Sequence, residues 1–324
     1  MKYSFLLAMF FVALSTSAQT TSYEYVPLAS KASSVALPDF TVKIKGSYEP
    51  QPSVFAKPSK IFALSDIEGE YEALKKLLIA AGVMDQRFQW TFGTGNLVVC
   101  GDMFDRGNRV AEVLWLIYYL EEKAKAAGGY VHYILGNHEL MNLTGDLRYL
   151  NPRYLDVAKQ NGVSYASFYS DSTELGRWIR SKNIMEKIGD LLFIHGGISQ
   201  LVNEANLTVD SVNIIARPFY DKPEGTLTPV SRLLLLDDGP LWYRGYFYAP
   251  AITEAAIDST LHLFGVKKIV VGHTLQPHVS AFYDGKIIDM DVHHAKGISE
   301  GLLVDGNKYY RVAADGTKTL LLSK

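Results

Sequence analysis

The chain has a single cysteine in 324 residues, so no intramolecular disulfide can staple it. That residue, Cys100, ends the apolar run Leu97-Val98-Val99, where a thiol packs as a small core group. Long hydrophobic stretches are equally scarce. The longest, residues 5–14 (FLLAMFFVAL), is half of the about 20 residues that span a bilayer. Lys2 precedes it and Ser15-Thr16-Ser17-Ala18 follows it. Residues 1–18 therefore read as a signal peptide cut before Gln19, and the mature chain is expected to be exported, to the periplasm or beyond the cell. No Cys follows the cleavage site, so a bacterial lipid anchor is not expected. An excess of one charge is also missing. With 32 Lys and Arg against 34 Asp and Glu, nothing argues for nucleic acid or an anionic membrane as partner.

What is present is a rhythm. Residues 19–60 are rich in Ser, Ala and Pro, and they read as an extended leader with short strand-like pieces such as Phe40-Thr41-Val42-Lys43-Ile44. From Ile61 onward, apolar strand, Gly-bearing turn and helix alternate. Ile61-Phe62-Ala63-Leu64, residues 96–100 and residues 130–135 have the continuous apolar character of buried strands. Helical spacing runs over 70–81, stopped by Gly82, and over 109–127, stopped by Gly128-Gly129. Such alternation implies an α/β fold with parallel strands and ligands gathered at their carboxyl ends. Residues 141–189 break the pattern with many aromatics, among them Tyr149, Tyr154, Tyr165, Phe168, Tyr169 and Trp178. They are expected to form a helical insertion that caps the site. A second irregular stretch covers about 200–260, and the remainder reads as a β meander with Asp-Gly turns at 284, 305 and 315.

At the strand ends lie five motifs: Ser65-Asp66-Ile67-Glu68-Gly69, Gly101-Asp102-Met103-Phe104-Asp105-Arg106-Gly107, Gly136-Asn137-His138-Glu139, His195-Gly196-Gly197 and Gly272-His273-Thr274. Together they offer the donors that hold two divalent metals about 3.5–4 Å apart. In an extended strand Asp66 and Glu68 point to one side, so both can reach one cation. Asp102 is the natural bridge. The first metal is assigned to Asp66, Glu68 and Asp102, and the second to Asp102, Asn137, His195 and His273. Solvent between two such cations is acidic enough to attack as hydroxide near neutral pH. His138 beside the ligands, with Asp105 as carboxylate partner, makes a general acid. Arg106 offers a planar fork for two phosphate oxygens. Arg244, with Tyr243 in the run Trp242-Tyr243-Arg244-Gly245, is a second candidate for substrate binding. His132, His262 and His278 are given core or loop roles; His293-His294, after Asp289-Met290-Asp291, can approach the site rim but read better as a solvated loop.

The order and form of these motifs resemble the calcineurin-like metallophosphoesterases, and more narrowly the phosphoprotein phosphatase branch with its bacterial, Shewanella-like relatives. The resemblance spans about residues 60–300. It implies a two-sheet sandwich flanked by helices over 61–324, Mn²⁺ or Fe in the site, and hydrolysis of phosphomonoesters without a covalent phosphoenzyme. One position departs: Glu68 stands where the family usually has His. A carboxylate there favours harder ions such as Mn²⁺, Fe or Mg²⁺, with Zn²⁺ an option for the pair. The substrates implied are phosphorylated Ser, Thr or Tyr side chains or comparable small esters. A diadenosine polyphosphatase-like hydrolase is a second reading, disfavoured by export because that substrate is cytoplasmic. A phospho-ligand-binding pseudophosphatase is a third, disfavoured because Asp105, His138 and Arg106 are retained.

Overall fold

The computed structural model describes residues 23–323, so the signal-peptide segment lies outside the described residues. A leader hairpin, β1 (Ser34–Ala36) with β2 (Thr41–Lys43), is followed by β3 (Val54–Phe55). Then come β4 (Lys60–Leu64), α1 (Tyr71–Ala80), β5 (Asn96–Cys100), α2 (Val110–Ala126) and β6 (Tyr130–Ile134). Next are α3 (Asn137–Thr144), α4 (Arg153–Gln160), α5 (Glu174–Arg180), β7 (Met185–Ile188) and β8 (Leu191–Ile194). Helices α6 (Gln200–Glu204), α7 (Val209–Ala216), α8 (Pro229–Leu235) and α9 (Glu254–Phe264) fill the stretch that looked irregular. The chain closes with β9 (Lys268–Val271), β10 (Ser280–Phe282), β11 (Ile287–Asp289), β12 (Glu300–Asp305), β13 (Lys308–Ala313) and β14 (Lys318–Ser323).

Two six-stranded sheets result, ordered β10-β11-β9-β8-β7-β3 and β14-β13-β12-β4-β5-β6. β4, β5 and β6 pair in parallel, as do β8 and β9. The central strands are apolar throughout because each feeds two cores. Ile61, Ala63, Val98, Cys100, Leu191, Phe193 and Val270 fill the space between the sheets. Their alternates Phe62, Leu64, Leu97, Val99, Leu192, Ile194, Ile269 and Val271 face outward to the helix-covered core. Period-two alternation thus divides one apolar run between two buried faces. This is the expected sandwich flanked by helices, and its mixed character comes from β7, antiparallel to β8, and from the antiparallel strands β10 and β12 to β14. The expected meander is split: β10 and β11 extend one sheet, while β12, β13 and β14 extend the other.

The insertion at 141–189 differs from expectation in two ways. Its last residues form β7, a strand of the sheet. Its aromatics are core except Tyr149, which is exposed: Tyr154, Tyr165, Phe168, Tyr169 and Trp178 are all buried. They pack against one another and against Phe104 and Tyr118, since burying 150–250 Å² per ring outweighs any surface role. The leader straps this layer down. Leu28 N–H donates to the Ser172 carbonyl at 2.9 Å, and Glu174 Oε1 accepts from Tyr48 and Tyr118 hydroxyls at 2.5 and 2.7 Å.

Candidate metal centre

The motifs converge at the carboxyl ends of β4, β5, β6, β8 and β9, where Asp66, Glu68, Asp102, Arg106, His138 and His273 line a cleft of about 330 Å³. Asp66 and Glu68 reach it by a route other than the expected strand. β4 ends at Leu64, and both residues take left-handed backbone angles, φ 55° and 49°. Asp102, Asp105, Arg106 and His273 do the same, at φ 58°, 70°, 52° and 66°. Non-glycine residues cost of order 1–3 kcal/mol each in such conformations, and they gather where function requires the turn. Close approach makes glycine necessary beside them. A Cβ on Gly136 would meet Asp102 Oδ1, and one on Gly272 would meet Asp66 Oδ2.

Asp102 is the hub. Its Oδ1 accepts the His138 N–H at 3.0 Å, and its Oδ2 lies 3.1 Å from His195 Nε2. Burial opposes its ionisation, but His195 and His138 hold its pKa below the ordinary value. Burial pushes Asp66 up to about 6, although His195 pulls the other way. Both histidines have their tautomers set by carbonyls. His195 Nδ1 lies 2.9 Å from Cys100 O, so Nε2 faces Asp102 and, at 3.1 Å, Asn137 Oδ1. His273 Nε2 lies 3.0 Å from Trp242 O, which leaves the Nδ1 lone pair facing the Arg244 guanidinium, 3.4 Å from its Nη2. Main-chain carbonyls orient ring nitrogens toward a metal in this way. Ligand atoms of Asp102, His195 and His273 lie within 4.8 Å of one another, as do those of Glu68, Asp102 and His138. Asp66 falls outside both sets, and Asn137 joins through its Oδ1, 3.1 Å from His195 Nε2; carboxylates, an amide oxygen and imidazoles so gathered fit a pair of divalent cations.

His138 Nδ1 and Asp105 Oδ2 are 2.5 Å apart and buried. Burial lowers the His138 pKa, but Asp102 and the Asp105 hydrogen bond outweigh it and raise it above the usual imidazole value. Arg106 is ion-paired with Glu68 at the mouth of the cleft. The insertion buttresses this turn from the side and does not roof the cleft. Asn142 Nδ2 donates to Asp105 Oδ1, Asn151 Nδ2 donates to the Arg106 carbonyl, and the Tyr149 carbonyl accepts the Arg106 N–H, each at 3.0 Å. The Tyr149 ring lies 5.2 Å from that of His138.

Arg244 lines the cleft and donates to the carbonyl of His273. Tyr243 does not line it: its ring packs on Tyr246, 5.6 Å between centroids, and against Gly197. Tyr248 takes that wall instead. Sequence reasoning also gave Glu139 no role, yet its carboxylate accepts the N–H of Gly136, Asp102 and Met103 at 2.6–2.9 Å, fastening two motif loops together. The signal was its place in the first turn of α3, where a Glu caps main-chain donors. His294 is buried in the cleft wall, so the approach to the site and not the solvated loop holds for it, and Asp291 is buried there with it. His132, by contrast, lies between the sheets, bonded to Glu186 and Asn96 at 2.6 and 2.9 Å, away from the cleft.

A mixed sheet sandwich with this donor cluster at its strand ends defines a metal-dependent phosphoesterase. The chain belongs to the calcineurin-like phosphoesterase family, which matches residues 59–277. A solved structure described as a cold-active protein-tyrosine phosphatase of a psychrophilic Shewanella species shares 39% identity over 90% of both chains, with TM-score 0.85. Shewanella-like protein phosphatase 2 of Arabidopsis thaliana is 24% identical over 76% of this chain and 74% of that protein. Shewanella-like protein phosphatase 1 of Plasmodium berghei is 29% identical over 67% of this chain and 62% of its own length. The protein is a phosphatase.

Proposed function

We propose that this protein removes phosphate from phosphorylated Ser, Thr or Tyr side chains, with Asp66, Glu68 and Asp102 holding one divalent cation and Asp102, Asn137, His195 and His273 a second. The observation that carries it is the His138–Asp105 contact directly beside the Asp102-centred cluster. A bound cation pair would polarise a phosphoryl oxygen and acidify a water. The chain supplies the rest. Arg106 and Arg244 stand at the cleft to grip phosphoryl oxygens, and a guanidinium fork suits two of them. His138, kept protonated by Asp105, delivers its proton to the leaving oxygen. The likeness to a tyrosine phosphatase structure supports an aryl phosphate among the substrates.

Purified protein with Mn²⁺ is to be assayed on para-nitrophenyl phosphate, phosphotyrosine and phosphoserine peptides, and a dinucleotide polyphosphate. Turnover of the peptides is expected. Exclusive turnover of the dinucleotide would replace this reading with the nucleotide-directed one, and binding without phosphate release under any metal would mark a pseudophosphatase. We place the mature protein in the periplasm or outside the cell on the strength of residues 1–18. Amino-terminal sequencing of secreted material should begin at Gln19, and a retained Met1 would refute export by this route.

A further inference from the structure

Asp291 has no use in the reading so far. It follows β11 and lines the same cleft as Asp66, Glu68, Asp102 and His273, with 8% of its surface exposed. Its backbone is pinned on both sides. Asp289 Oδ1 accepts the Asp291 N–H at 3.0 Å, and the Asp291 carbonyl accepts from the Gln276 N–H at 2.9 Å. Asp289 is itself satisfied by the Gln276 amide at 3.2 Å. The Asp291 carboxylate, by contrast, has no hydrogen-bond donor among the described residues, and His195 is the positively charged group that acts on it. Nearby, His294 has its Nε2 3.2 Å from the Ser65 carbonyl, which leaves Nδ1 a buried lone pair with no partner. Burial and the neighbouring Asp66 and Asp289 carboxylates push the Asp291 pKa up to about 9, so its charged form is costly unless a positive charge is brought to it.

We propose that Asp291 is a further acidic group for the cation at Asp66 and Glu68, engaging it through a water of the hydrated ion, with His294 Nδ1 accepting from a second water. This rests on the two-cation reading above. Asp291 and Asp66 both fall outside the sets of donor atoms that lie within 4.8 Å of one another, and both line the cleft; the water between Asp291 and the ion is part of the proposal. The consequence is two unlike positions. Around the first cation the proposed donors Asp66, Glu68, Asp102 and, through water, Asp291 present oxygen, whereas His195 and His273 serve the second. Oxygen-rich, anionic surroundings select hard ions that keep part of their water, Mg²⁺ and Mn²⁺ above all. The departure at Glu68 and the extra carboxylate at Asp291 then act in one direction.

The test uses the mature chain stripped with a chelator and titrated with Mn²⁺ by calorimetry. Wild type is expected to show two binding events, and Asp291→Asn to weaken one of them about 10- to 100-fold while sparing the other, the usual effect of losing an outer partner. His294→Gln should act on the same event in the same direction. Thermal unfolding in chelator separates this from a structural role. Replacing a buried carboxyl that no protein donor holds should leave the Tm of the stripped Asp291→Asn protein unchanged or higher and shrink the rise on adding Mn²⁺. Two Mn²⁺ events of unchanged affinity would overturn the inference, and so would a lower Tm in chelator. A wild type that binds fewer than two ions would instead overturn the two-cation reading on which it rests.

Discussion

Replacing Asp105 by Asn keeps the shape of the His138 partner and removes its charge. The contact is 2.5 Å long and both side chains are buried, so solvent cannot restore what is lost. A hydrogen bond to a charged group is worth about 1.5–3 kcal/mol. At about 1.4 kcal/mol per pKa unit, His138 should become more acidic by about 1–2 units. The sign follows from the raised pKa of His138: the protonated acid is present below that pKa and disappears as pH rises through it. The alkaline limb of kcat should therefore move to lower pH in the variant. Its size should depend on the leaving group. Alkyl phosphates, whose alkoxide must be protonated, should lose about 10²-fold or more in kcat, within the range for a general acid. Para-nitrophenyl phosphate, whose leaving oxygen needs no proton, should lose far less. Profiles of kcat against pH for both substrates are the assay. An alkaline limb that stays in place, or equal losses on both substrates, would refute the assignment of His138 as acid.

Removing the Arg106 guanidinium with Arg106→Ala should raise KM about 10- to 100-fold, the value of one to two charged hydrogen bonds, and initial-rate kinetics with para-nitrophenyl phosphate read this directly. Phe168, buried in the insertion, should cost about 3–5 kcal/mol of stability as Phe168→Ala, seen in urea unfolding, with kcat of the folded fraction little changed. Loss of turnover without loss of stability would return the insertion's aromatics to the site. Gly136→Ala should abolish turnover and weaken metal binding in elemental analysis, because its methyl meets Asp102 Oδ1. Exhaustive chelation should abolish activity, and Mn²⁺ should restore it.

The strands were legible because each carries its own signal: an apolar run buried on both faces needs no long-range information to be recognised. The motif positions Asp66, Asp102, Asn137, His195 and His273 stood out as strand-end turns for a like reason, since nearby glycines announce a turn there. The strand geometry inferred for Asp66 and Glu68 was wrong in detail, since the backbone after β4 turns left-handed. Nothing local distinguishes that from two more strand residues. Tyr243 and the insertion's aromatics failed for a related reason: composition says that a ring will be buried or exposed somewhere, not against what.

The amino-acid order alone determined the sandwich class, the motif residues and the chemistry they permit, because alternation and turn propensity act over a few neighbouring residues. Only the folded chain decided that Cys100 O and Trp242 O select which nitrogen His195 and His273 present. It also decided that Glu139 ties two motif loops together and that Asp291 stands in the cleft wall. Those contacts join positions 31 to 95 residues apart in the first pair, and no spacing rule reaches that far.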